Sequence, residues 1–425
     1  MKRSPRNSHD SRAIVALART AAVAIAWSTA ASPIACGGGS SSPAQAPQAP
    51  HSIGSRGASA ANGDDDEGDA GLPAAADAGA ASGRTPPSGP LPPPKPVNIP
   101  LASGAMLPGD TDLEAGDAAF ERGEFEEAQR RYQAARTASK ARAAPMVGLA
   151  RVRLAHLHLA MDFAAGKGNA EVLAAAVDLR KAAQLEPSFG PSYVELGRAL
   201  LLSGDAAAAL ASLRQGVQML PLEAEAHSAL GVALFALGQG DEALTELARA
   251  AEIDPGSASR HGNVATALFM RGRVREAIPE YEQRVRLADG DAGAHSDLGT
   301  ALIANNDFAR GVPELERAIA LDSSRPAFHS NLGYALQIGG KLTEAVAEYR
   351  EAIRLDGRFV SAWVNLGTAL ARNPKTRREA RAALENARAI DASDPRVQVN
   401  LDELDALDAP SAPTGKPGVD GGAAH

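Results

Sequence analysis

The chain offers chemistry in four places: a single thiol, a periodic set of histidines, a periodic set of asparagines and a short acidic run. Cys36 is the only cysteine, which excludes an intrachain disulfide and any zinc site needing two thiolates. His227, His261, His295 and His329 stand 34 residues apart, a spacing that invites a shared metal or a pH sensor. Stacked helices lie about 8–10 Å apart, however, whereas a zinc–nitrogen bond is about 2 Å. No metal is expected; the histidines read as satisfied core residues, and if buried neutral they make acid destabilising. Asn263, Asn331 and Asn365 form a second series, interrupted by Asp297. Asp110, Glu114, Asp117 and Glu121 share one face of a helix, either to dock a basic partner or as a solvated terminal face. Gly166-Lys167-Gly168 lacks the preceding strand and the GxxxxGK[ST] spacing of a phosphate loop, and neither HExxH nor GxSxG occurs. The expectation is of no catalytic residue, no cofactor and no enzyme.

Composition sets the frame for these residues. The 425 residues carry 43 Lys and Arg against 51 Asp and Glu, a net charge of −8, which argues against nucleic acid as a partner. Apolar residues make up 44% but aromatics only 4%, an alanine-rich balance that suits closely packed helices. Half of the 28 prolines fall between residues 33 and 108, so that stretch cannot be core.

Residues 1–35 read as an export signal. Lys2, Arg3, Arg6, Arg12 and Arg19 precede an apolar run from Thr20 to Ala31, too short to span a bilayer and of signal-peptide length. The run leads into Pro33-Ile34-Ala35-Cys36. This resembles the bacterial lipoprotein signal, in which cleavage falls before a cysteine that carries lipid. Ala35 and Ile34 fit the pattern, and Pro33 departs from the usual Leu. The resemblance implies lipidation at Cys36 and, with Gly37 following, an outer-membrane lipoprotein facing the periplasm. An ordinary cleavage site such as Ser28-Thr29-Ala30 would give a secreted periplasmic protein instead, and the other alternative is an uncleaved anchor broken by Arg19. Residues 36–108 are Pro, Gly, Ala and Ser with few groups to bury, and are expected to be a disordered tether. Its function is reach from the membrane, or it is low-complexity filler.

From residue 109 the sequence is periodic. Glu195-Leu196-Gly197-Arg198-Ala199-Leu200 returns as ALGVAL at 229, NVATAL at 263, DLGTAL at 297, NLGYAL at 331 and NLGTAL at 365, always 34 residues on. With Gly197 as position 8, position 4 is Tyr193, His227, His261, His295, His329 and Trp363. Position 11 is leucine throughout, and position 20 is Ala209, Ala243, Ala277, Gly311 and Ala345. The array resembles the tetratricopeptide-repeat (TPR) family in period and in this large–small–large signature. The resemblance implies an all-α, right-handed α-solenoid of eight helical hairpins (109–142, 143–189 with an insertion, 190–223, 224–257, 258–291, 292–325, 326–359 and 360–393). A polar-faced capping helix at 394–408 and a disordered tail at 409–425 complete the reading. Pro279 and Pro313 are expected to bend second helices, and Pro374 to shift the last hairpin by one residue.

Positions 2, 6, 9 and 13 lie opposite the packing stripe and are expected to face solvent along a concave groove. They supply Asn263, Asn331, Asn365, Asp297, Thr266, Thr300, Tyr334 and Thr368, with Phe235 and Phe269 at the margin. In the middle repeats that lining is nearly neutral and suits an extended peptide, whose backbone the amides would bond. The asparagines resemble a ladder that holds substrate backbone in glycosyltransferase-associated arrays, although Asn at position 6 is also common in the family. The resemblance implies an envelope scaffold for other proteins or peptides, pilotin-like or similar, which meets the membrane only through the lipid on Cys36. The alternative is a substrate-recruiting or targeting subunit of an envelope enzyme such as a glycosyltransferase or cell-wall hydrolase.

Overall fold

The computed structural model describes residues 99–408 except 103, 105 and 160–163. The export signal, Cys36 and the tail after 408 lie outside the described residues. Among those described there are seventeen α-helices and no strand, so the chain is an all-α solenoid. The helices pair as α1 (Asp110–Glu121) with α2 (Phe125–Ala138), α3 (Ala144–Ala155) with α4 (Ala170–Leu185), α5 (Gly190–Ser203) with α6 (Ala206–Met219), and α7 (Ala224–Ala236) with α8 (Gly240–Ile253). The second half repeats this with α9 (Ala258–Met270) and α10 (Val274–Leu287), α11 (Ala292–Ala304) and α12 (Phe308–Leu321), α13 (Pro326–Ile338) and α14 (Leu342–Leu355), and α15 (Val360–Ala371) and α16 (Arg377–Ile390). A final helix, α17 (Pro395–Asp408), buries Val397, Leu401 and Leu404 against the last hairpin and turns its acids outward. No helix among the described residues is long and apolar enough to cross a membrane.

Most hairpins close through a left-handed backbone at position 15. Gly204, Gly238, Gly272 and Gly340 have φ between 75° and 86°, and Asn306 takes the same role at φ 64°. Proline cannot adopt positive φ. Pro374 at that position therefore forces a different turn, the 3-10 turn Pro374–Thr376, which accounts for the local shift in register. Pro279 and Pro313 sit inside α10 and α12, and both helices run through them unbroken. Small residues at position 8 then let the two helices meet: a Cβ on Gly197 would lie 2.3 Å from Leu213 Cγ.

The core follows the stack, with Val232 and Phe235 packing against both its first and its middle stretch. First helices of successive hairpins touch one another along the array and form its inner row. The described end of the insertion in the second hairpin lies on α5: the Ala164 and Gly166 N–H groups donate to the Leu201 and Leu202 carbonyls at 2.8 and 2.9 Å. These glycine-flanked residues finish a helix end, which is a structural use for a segment that lacks phosphate-loop spacing.

One expectation needs correction. The tether was expected to stay disordered to residue 108, yet Ile99 and Leu101 are buried in the core of the first hairpins. Two aliphatic side chains separated by one residue give this short strap enough apolar area to order against the array, whatever the proline content before it.

Candidate interaction surface

The inner row was expected to present its position-6 amides to solvent. The structure instead sets them between neighbouring hairpins. Asn331 Nδ2 donates to Ser296 Oγ at 3.1 Å, Asn263 Nδ2 to Ser228 Oγ at 3.1 Å, and Asn365 Nδ2 to Ser330 Oγ at 3.3 Å. Each acceptor is the buried serine at position 5 of the preceding repeat. The ladder therefore joins repeats, and Asn331 is itself buried. Asn331→Ala should strand the fully buried Ser296 hydroxyl and cost about 1–3 kcal/mol of stability. Hydrogen exchange across the α11–α13 junction would show it, and unchanged protection would return the amide to a purely surface role.

The other expected lining residues divide. Asp297 is buried beneath Arg284, whose Nη1 donates to it at 2.5 Å while Nη2 donates to Asp291 at 2.9 Å. Phe269 is core, packed edge-on against Tyr281 with ring centroids 6.5 Å apart. Phe235 is half-buried against the core. Thr300 and Thr368 donate back to the carbonyls of Ser296 and Val364, and Thr266 shares a hydrogen bond with the Tyr281 hydroxyl. Tyr334 remains half-buried on the inner row, with Ile338, 42% exposed, one turn beyond it.

The acidic face of α1 also splits. Glu114 and Glu121 are exposed, but Asp110 is buried and paired with Arg142 at 2.6 Å. Asp117 accepts hydrogen bonds from the Tyr132 hydroxyl and the Leu101 N–H, both at 2.7 Å. Arg142 covers Asp110, and the strap with Arg151 of the second hairpin covers Asp117, so the face is not uniformly solvated. Burial raises the Asp117 carboxyl above its ordinary value, outweighing the Leu101 N–H and the Arg151 charge.

Residues not singled out from the sequence build the other half of the inner row. A chain of alternating charges crosses five hairpins. Arg151 lies 3.7 Å from Asp117 and 2.8 Å from Glu195; Arg198 reaches Glu195 at 3.3 Å and Glu225 at 3.2 Å; Arg260 reaches Glu225 and Asp254, both at 3.3 Å. Burial works to raise the Glu195 carboxyl, but Arg198 and Arg151 together hold it below the ordinary carboxylate value. The signal was present in the sequence: Arg151 and Arg198 occupy position 9 and Glu195 position 6, where the other repeats are mostly neutral.

The four histidines occupy one repeated geometry. Nδ1 of His227, His261, His295 and His329 lies 2.6–2.8 Å from Glu246, Glu280, Glu314 and Glu348, and Nε2 faces the carbonyl six residues earlier at 2.9–3.2 Å. Both ring nitrogens meet acceptors, and only the imidazolium carries two N–H donors. For His261, burial opposes protonation but the Glu280 bond and the Pro255 carbonyl outweigh it, so its pKa is raised. The Glu348 bond raises that of His329 against burial. For His261 and His329 this reverses the expectation of a buried neutral ring. A raised folded value gives stability that is complete below the ordinary value of 6.5 and fades as pH rises through the folded pKa. Between pH 8 and 6 the unfolding midpoint of the middle hairpins should rise as pH falls. Replacing Glu280 and Glu348 with Gln should flatten that slope, and a midpoint that falls toward pH 6 would contradict it.

The tetratricopeptide-repeat family model matches residues 194–258, 296–358 and 339–395. Among solved structures, a chain of the APC/C hetero-tetramer Cut9–Hcn1 is similar at TM-score 0.52 and 14% identity over 61% of this chain and 49% of that one. The match thus spans about half of that longer chain. YrrB, a TPR protein with an unusual peptide-binding site, is 19% identical over 45% of this chain and 97% of its own, at TM-score 0.35. PilF of Pseudomonas aeruginosa is 20% identical over 50% and 97%, at TM-score 0.43. No curated protein matches in sequence. Residues 194–258 and 296–395 of the helical array are therefore tetratricopeptide repeats, an architecture of protein-interaction scaffolds.

Proposed function

We propose that the chain is an exported scaffold of the cell envelope, tethered to the outer membrane by lipid on Cys36, that holds an extended partner segment along its inner row for assembly of an envelope complex. The observation that carries the peptide reading is the stretch of inner row at Tyr334 and Ile338. There a half-buried aromatic and an exposed aliphatic residue lie one turn apart on α13, beside the neutral hydroxyls of Thr300 and Thr368. Apolar side chains flanked by hydroxyls accommodate the side chains and backbone of an extended segment. The lipid anchor rests on the sequence around Cys36 and on its being the only thiol.

Photo-crosslinkers placed in intact envelopes test the surface. A probe at Tyr334 should capture a partner that the same probe at exposed Arg350, on a second helix, does not. Equal capture from both positions would remove the inner-row reading. Recovery of a single catalytic protein would mark the chain as that enzyme's recruiting subunit. Fatty-acid labelling tests the anchor, since a Cys36→Ala chain that still takes up label would refute lipidation there.

A further inference from the structure

We propose that Ile99-Pro100-Leu101 is a built-in occupant of the amino-terminal groove, and that an extended partner peptide with aliphatic side chains two residues apart displaces it. The proposal rests on the peptide-scaffold reading above and adds where such a partner binds and what chemistry it carries. Ile99 is 4% exposed and Leu101 0%, whereas Pro100 between them is exposed. That alternation is the period of extended chain, with two side chains entering the array and one facing out.

The array holds this segment by its main chain. Arg151 Nη2 donates to the Ile99 carbonyl at 2.8 Å, and the Leu101 N–H donates to Asp117 Oδ2 at 2.7 Å. Both receiving residues occupy position 9 of their repeats, on the first helices of adjacent hairpins. Main-chain groups are common to every peptide, so these two contacts select extended conformation, and the buried places of Ile99 and Leu101 select aliphatic side chains. Proline itself touches neither contact, so its ring is not part of the requirement.

The receiving groups are held without the strap. Arg151 stays bonded to Glu195 at 2.8 Å, and Asp117 keeps the Tyr132 hydroxyl at 2.7 Å. A vacated groove thus presents one donor and one acceptor already in position, which lowers the cost of taking a second peptide. The strap also has a natural pivot. Gly104, Met106 and Gly109 have positive φ in the return to α1, and the Met106 side chain, 94% exposed, adds no packing there. Beyond the loop, Arg142 fixes the Pro108 carbonyl, and Asp110 accepts from the Leu107 N–H. Release between 99 and 102 therefore leaves α1 anchored. Because the strap is covalently attached, it competes at high effective concentration and weakens apparent binding of any second peptide.

The test uses the full chain and a fluorescein-labelled peptide of its own residues 96–104, PVNIPLASG. Ile99→Asp with Leu101→Asp in the protein should tighten binding of this peptide at least tenfold over wild type. The same two changes in the peptide should abolish binding. Equal affinity for both proteins, or no binding to a double variant that keeps its helical circular dichroism, overturns the proposal. If the double variant fails to fold, hydrogen exchange on wild type decides: saturating peptide should strip protection from the Leu101 amide while α5 amides stay protected. An unchanged Leu101 amide would show that the strap is fixed structure. Crosslinking from Tyr334, in the other half of the array, would stand unaffected by that failure, so the two readings fall separately.

Discussion

Arg151→Met is expected to lower the stability of the amino-terminal hairpins by about 3–5 kcal/mol, more than its loss of packing alone would cost. Only 2% of the Arg151 side chain is exposed, and Glu195 beside it is 3% exposed. Methionine preserves much of the aliphatic stem but leaves the Glu195 and Asp117 carboxylates with one cation fewer in a dry setting. Arg198 still bonds Glu195, so the loss should fall toward the lower figure. The diagnostic is the second variant. Adding Glu195→Leu to Arg151→Met removes the stranded charge, and most of the lost stability should return, because Arg198 then relies on Glu225. Urea unfolding of the three proteins checks this, and a single variant no weaker than the double would show that the pair contributes no electrostatic coupling.

The second large effect is expected at Tyr132. Its ring is fully buried and fills the space left by two glycines: a Cβ on Gly116 or Gly148 would lie 2.6 or 2.5 Å from its ring atoms. Its hydroxyl donates to Asp117. Tyr132→Ala should cost about 3–5 kcal/mol through the cavity alone. Tyr132→Phe keeps the volume and loses only the bond to the carboxylate, about 1.5–3 kcal/mol. Stability in a repeat array is carried by each unit and its neighbours. The damage should therefore be local: amides in α1–α3 lose exchange protection while those in α13–α16 keep theirs. Uniform loss along the chain would mean the array unfolds as one unit.

The eight hairpins were legible because burial within a repeat depends on the repeat's own spacing. Leu196 to Leu366 recur every 34 residues, and small residues at positions 8 and 20 mark the close approach of the paired helices. The inner row was harder to read. The angle around a single helix puts Asn331 opposite the packing stripe, but its burial is set by the hairpin before it, where Ser296 waits at position 5. A wheel drawn for one helix contains no neighbour. The histidine pairing was readable and missed: Glu246, Glu280, Glu314 and Glu348 share the same 34-residue period at position 23. The strap was hidden for another reason. Average composition over residues 36–108 is set by proline, glycine and alanine, and it masks one pair of alternating aliphatic residues at its end.

The joints between hairpins differ along the stack, and this has a mechanical consequence. From the first hairpin to the sixth, neighbours are riveted through buried or half-buried arginines, each shared by two carboxylates. From the sixth onward, the inner-row amides meet neutral hydroxyls, Asn331 those of Ser296 and Thr300 and Asn365 that of Ser330. Thermal breathing that parts one hairpin from the next is expected to concentrate in the carboxy-terminal half, while the ion-paired amino-terminal half keeps its register.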